Sequence, residues 1–166
     1  MAKDCRETAL SFLEHRERSA YEVRAHLASQ GFQGEEIEEE LRFLQELHYV
    51  DDGRYCSAYI EYGIRKGRGP VRLQRELAEK GIDGELIRQA LEESFDRQTE
   101  RDMAIEETQK LLKRGAEPQA EASGETDEES GCGPDEKTIA KIGRKLASSG
   151  YHTDIIYDVI GRIRKS

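Results

Sequence analysis

Tryptophan is absent from the 166 residues, only 3 prolines occur, and aromatic side chains make up 7%. With so few breakers and so few large aromatics, the composition favours helix packed on helix over a large sheet. The 3 cysteines, Cys5, Cys56 and Cys132, are odd in number and scattered, which argues against a disulfide framework and fits a reducing compartment. They show no ligand spacing with His15, His26, His48 or His152, so no zinc cluster, and no cofactor of any kind, is expected. Long apolar runs are also missing. Nothing approaches the length of a membrane-spanning helix, and the opening MAKDCRETALSF lacks the apolar stretch of a signal peptide. The expectation is a soluble, cytoplasmic chain with no membrane contact. Positive charge is in deficit: the formal net charge is -9, whereas non-specific nucleic-acid binding needs a basic footprint.

What the chain does have is charge and helix formers. Charged residues make up 37% and hydrophobic residues 36%, so the core must be thin and distributed. The helix formers Glu, Leu, Arg and Ala are all abundant.

The apolar residues recur in one pattern, written three times. Leu27-Ala28-x-x-Gly31-Phe32 matches Leu77-Ala78-x-x-Gly81-Ile82 and Leu146-Ala147-x-x-Gly150-Tyr151. An apolar residue precedes each leucine by four: Val23, Leu73 and Ile142. Two more follow, Ile37 and Leu41, Ile87 and Leu91, Ile156 and Ile160. The i, i+4 pairs place one apolar face on each helix. Gly31, Gly81 and Gly150 are structural turn residues that end a helix in the left-handed conformation. The next side chain then packs back on the leucine. New helices are expected near Gly34, Gly84 and Thr153, with acids such as Glu35, Glu36, Glu85 and Asp154 in their first turns.

A third helix precedes each pair, carrying Ala9, Phe12 and Leu13, then Tyr55, Ala58, Tyr59 and Tyr62, then Ala104, Thr108, Leu111 and Leu112. The tyrosine stripe reads as core. Ser19 with Glu22 reads as a capping box, and Pro70 as a first-turn proline. Asp51 and Asp52 read as caps of the fourth helix. The fold expected is all-α: three tandem three-helix, helix-turn-helix-like repeats over 1–50, 51–97 and 98–166. Residues 116–134 interrupt the third repeat with six acids and no Lys or Arg, and should form a disordered acidic linker.

No catalytic motif is present in the sequence, and no enzyme is expected. Gly63-x-x-x-Gly67-x-Gly69 lacks the Lys-Ser/Thr of a phosphate loop and reads as a helix stop. As a DNA reader, the first helix pair would offer Glu35, Glu36, Glu38, Glu39 and Glu40 to phosphates, which repel them. A direct DNA-binding helix-turn-helix module is therefore the alternative and not the leading reading. Against this acidic background five cations stand within eleven residues: Arg65, Lys66, Arg68, Arg72 and Arg75. They are the candidate partner-binding residues.

The run Val50-Asp51-Asp52-x-Arg54-Tyr55, Tyr59, Lys66-Gly67-x-Gly69-Pro70 and Leu73-x-x-Glu76-Leu77-x-x-Lys80-Gly81-Ile82 closely resembles the central repeat of the RecX family. Arg18-Ser19-x-x-Glu22-Val23-x-x-x-Leu27 resembles that family's opening repeat, and Leu146-x-x-x-Gly150-Tyr151 its closing one. The resemblance implies an elongated, curved array of three repeats. It also implies a monomeric regulator that binds the RecA nucleoprotein filament and modulates, in the inhibitory direction, its recombinase and ATPase activity. Contact with single-stranded DNA would be weak or indirect.

Overall fold

Leu27, Leu77 and Leu146 each stand four residues before a glycine that closes a helix and lets the next begin. The structure, a computed structural model, describes residues 3–115 and 133–166. The expected linker, 116–134, lies outside the described residues apart from Gly133 and Pro134. Among the described residues the fold is all-α, with no strand. Its helices are α1 (Cys5–Leu13), α2 (Ala20–Ser29), α3 (Gly34–Glu46), α4 (Asp52–Arg65), α5 (Pro70–Glu79), α6 (Gly84–Ser94), α7 (Arg97–Gly115), α8 (Glu136–Ser149) and α9 (Thr153–Lys165). None of them is long and apolar enough to cross a membrane.

The three helix stops share one geometry. Gly31, Gly81 and Gly150 have φ of +91°, +74° and +88°. Their N–H groups donate to Ala28, Ala78 and Ala147, at 3.0, 3.0 and 3.1 Å. The following N–H groups, of Phe32, Ile82 and Tyr151, donate to Leu27, Leu77 and Leu146, each at 3.3 Å. This pair of bonds is a Schellman stop, and it satisfies carbonyls that the helix leaves open. Gly67 closes α4 in the same way, with Arg68 N–H donating to Gly63 at 2.9 Å. At the end of α3 the left-handed place is taken by His48, φ 59°.

The helix starts follow side-chain chemistry. Ser19 Oγ accepts from Glu22 N–H at 3.1 Å, and the Glu22 carboxylate accepts from Ser19 N–H at 3.0 Å, a complete capping box. Asp51 accepts from Arg54 N–H and caps α4. Asp52 does not share that work, contrary to the sequence reading. It is the first residue of α4, and its carboxylate accepts the N–H of Ala20 at 2.8 Å, so it caps α2 instead.

Two compact units make up the chain, Met1–Tyr62 with Gln74–Ser94, and Gly63–Leu73 with Phe95–Ser166. The first buries Ala9 of α1, Val23 and Leu27 of α2, and Ile37, Leu41 and Leu44 of α3. In α4 the buried residues are Tyr55, Cys56 and Ile60. The face expected to be buried is thus displaced: Ala58 is exposed and Tyr62 is 41% exposed. Both sets satisfy helical spacing, and contacts made elsewhere in the chain choose between them. The second unit buries Ala104 of α7, Ile142 and Leu146 of α8, and Ile155, Ile156 and Val159 of α9. Arg97–Asp154 (2.7 Å) and Arg101–Asp158 (2.8 Å) tie α7 to α9.

The capping box makes the first unit sensitive to acid. Burial pushes the Glu22 carboxyl up, but the Ser19 N–H, Arg16 at 3.0 Å and Lys80 at 3.7 Å outweigh it and hold its pKa below the ordinary value. A depressed folded pKa stabilises above the unfolded pKa, and the contribution disappears as pH falls through the folded value. Between about pH 6 and about pH 3 the unfolding midpoint should fall further in the natural chain than in Glu22→Gln. Parallel urea melts across that range would contradict it.

Candidate functional site

The segment that carries the candidate cations is a turn between two helices. Arg65 is the last residue of α4, Lys66 follows it, Arg68 lies between two glycines, and Arg72 is in the first turn of α5. These four belong to the second unit, and Arg75, further along α5, belongs to the first. Arg65, Lys66 and Arg75 are exposed, and Arg68 and Arg72 are half-buried. Lys66, Arg68 and Arg72 have partners within the chain.

Three hydrogen bonds fix this segment on the second unit. Gly69 N–H donates to the Ser149 carbonyl at 2.6 Å, and Val71 N–H to the Gly150 carbonyl at 2.9 Å. Both donors lie at the start of α5, where a helix has no partners of its own. The Tyr151 hydroxyl donates to the Gly67 carbonyl at 2.9 Å. Burial pushes the Tyr151 phenol well above its usual range, so it stays a donor at neutral pH. The approach is close enough that a Cβ on Gly69 would run into the Gly150 carbonyl. The glycine and proline punctuation of 67–70 thus serves contact with residues 149–151 as well as a helix stop.

Beside this turn lies a recess of about 180 Å³ lined by Ile64, Arg65, Met103, Glu106, Glu107 and Lys110, among others. Lys110 bridges Glu106 and Glu107, both at 3.2 Å, so the recess holds both signs of charge. That mixture suits contact with another protein surface better than capture of one small anion.

Two polar arrangements that join residues far apart in the chain have no signal in the sequence. Glu100, 5% exposed, accepts the His152 N–H at 2.7 Å, with its oxygens 3.0 Å from the imidazole Nδ1. It supplies the cap that His152 itself does not give to α9. The other is the Asp52 cap on α2.

Nothing described has the form of a reactive centre. Burial raises the pKa of the Cys5 and Cys56 thiols, which leaves them protonated and poor nucleophiles. Among the described residues no group of three or more His, Cys, Asp and Glu could hold a metal ion.

The family profile of the first three-helix domain of RecX matches residues 5–44, and that of the second matches residues 51–91. The chain belongs to the RecX family. The regulatory protein RecX of Bacillus licheniformis is 39% identical over 107 residues, 64% of this chain and 40% of that protein. RecX of Listeria welshimeri is 35% identical over 107 residues, 64% and 39% of the two chains. RecX of Vibrio vulnificus is 33% identical over 89 residues, 54% and 58%. The chain thus spans about two-fifths of the length of the Bacillus and Listeria relatives. A crystal structure of RecX from Lactobacillus salivarius superposes with a TM-score of 0.77 at 22% identity, covering 98% of this chain and 96% of that one. A second RecX crystal structure gives 0.74 at 21%, covering 95% and 70%. At such identities the likeness speaks for the RecX fold.

Proposed function

We propose that the chain is a non-enzymatic regulatory protein that binds the RecA nucleoprotein filament and restrains its recombinase and ATPase activity. The observation that carries this reading is the pair of RecX domains matched in tandem, in a chain whose curated relatives are named regulatory proteins. Arg65, Lys66, Arg68, Arg72 and Arg75 are the proposed contact residues. Their charge suits a filament that presents phosphates and acidic side chains, and the otherwise acidic chain disfavours wandering onto bare DNA. Three repeats acting on neighbouring protomers would convert weak single contacts into a firm grip through effective concentration.

The test is strand exchange and ATP hydrolysis by purified RecA on single-stranded DNA, with the full chain added. Both activities should fall. Arg65→Glu/Lys66→Glu/Arg75→Glu, which changes exposed side chains, should require about tenfold more protein for the same effect. No change in either activity at several-fold molar excess over RecA rejects the proposal. Salt-dependent DNA binding without RecA, lost in the same variant, would favour the DNA-binding module instead.

A further inference from the structure

The end of the chain reverses the overall charge. Residues 135–166 contain 7 Lys and Arg against 4 Asp and Glu. All four acids are engaged: Asp135 caps α8, and Glu136 meets Arg164 at 3.0 Å. Asp154 meets Arg97 at 2.7 Å, and Asp158 meets Arg101 at 2.8 Å and Arg162 at 3.3 Å. Among the described residues Lys141, Arg144, Lys145 and Lys165, all exposed, have no carboxylate partner. Lys141, Arg144 and Lys145 share one face of α8, at i, i+3 and i+4. The step from Lys141 to Lys145 advances about 6 Å along the helix.

α9 lies beside α8 and runs the opposite way. Glu136 reaches Arg164 near one end, and a Cβ on Gly143 would meet Ile160 Cδ1 at 3.2 Å. The outer face of α9 carries Tyr157, Gly161 and Lys165, at i, i+4 and i+8. Tyr157 stands seven residues before Arg164, so it lies on the flank of α9 that turns towards α8. At 71% exposure it is the exposed large apolar side chain of these two helices. A glycine inside a helix is destabilising, and packing does not require Gly161: a Cβ there would meet nothing within 4 Å. Its effect is open space beside the tyrosine ring.

We propose that this face of α8 and α9 binds a single-stranded nucleic acid. Phosphates follow Lys141, Arg144 and Lys145, and a base stacks on Tyr157 over Gly161. Single-stranded sites combine cations of this kind with exposed rings, and stacking accepts any base. An acidic protein fits less well. A protein interface is built round a core of several apolar side chains, whereas here one ring stands among cations and the exposed small residues Ala140 and Ala147. The proposal does not rest on the filament reading.

Fluorescence anisotropy of a labelled oligothymidylate, with the full chain and without RecA, tests it. Affinity should rise as salt falls, with a log–log slope of about -2, that of three phosphate contacts. Lys141→Glu/Lys145→Glu, at two exposed positions, should weaken binding about tenfold and flatten the slope. Tyr157→Ala should also weaken it about tenfold while keeping the slope. Arg65→Glu/Lys66→Glu/Arg75→Glu should bind as the natural chain does, which separates this face from the cationic turn. Because the natural chain has no tryptophan, Tyr157→Trp installs a single reporter, and its emission should be quenched at saturation. No binding at low salt, tighter binding of a duplex of the same length, displacement by polyglutamate at equal charge, an unquenched tryptophan, or unchanged affinity in the lysine or alanine variants would each overturn the proposal.

Discussion

Gly150→Ala is expected to lower the free energy of unfolding by about 3 kcal/mol, whereas Gly31→Ala costs only about 1 kcal/mol. The two glycines hold the same place in the repeated signature and have nearly the same φ, +88° and +91°. Any L side chain pays the left-handed penalty at both. Beyond that they differ. A Cβ on Gly31 would meet nothing within 4 Å, but one on Gly150 would run into the Cβ and backbone nitrogen of Arg72. Backbone cannot rotate aside as a flexible side chain can, so the clash must shift the start of α5 against residues 149–151. The Val71–Gly150 bond at 2.9 Å and the Gly69–Ser149 bond at 2.6 Å would suffer with it. Urea melts of the two variants beside the natural chain give the comparison. Equal losses would show that the close approach at Gly150 carries no weight.

Ser19→Ala is the second large loss, again about 3 kcal/mol. Ser19 is 0% exposed. Its hydroxyl accepts the Glu22 N–H at 3.1 Å and donates to the Lys80 carbonyl at 2.8 Å. Removing it deletes a helix cap, worth about 1 kcal/mol, and takes the hydroxyl donor from the part-buried bond to the Lys80 carbonyl, which adds about 1–3 kcal/mol. Asp135→Ala is the internal control. Asp135 also caps a helix, accepting from Thr138 N–H at 3.0 Å, but it is exposed and water can replace it. Its loss should stop at about 1 kcal/mol. If thermal or urea melts place the two variants together, the bond to Lys80 contributes nothing.

The elements legible in the sequence are those written within one turn of helix. A Schellman stop needs six consecutive residues, a capping box four, so Gly31, Gly81, Gly150 and Ser19 announce themselves. The features without a local signature depend on distant partners. Asp52 reaches Ala20 across 32 positions and Glu100 reaches His152 across 52. Locally, each looks like an acid in the first turn of its own helix. The α4 face differs from the expected one for a related reason. Tyr55, Tyr59 and Tyr62 lie at i, i+4 and i+7, but the fully buried pair is Cys56 and Ile60, also four apart, so spacing alone does not choose between the two faces. The basic cluster was visible as composition. That Arg65 through Arg72 belong to one compact unit and Arg75 to the other was not, because the division falls inside α5.

Three hydrogen bonds tie the short stretch Gly63–Leu73 to residues far downstream, although it lies within the segment matched to the second RecX domain. A fragment cut after Ser94 would keep that domain's sequence while removing the carbonyls of Ser149 and Gly150 and the phenol of Tyr151. Sequence borders are therefore poor guides for truncation here. Any excised piece meant to display the cationic turn in its native form has to carry α7, α8 and α9 along with it.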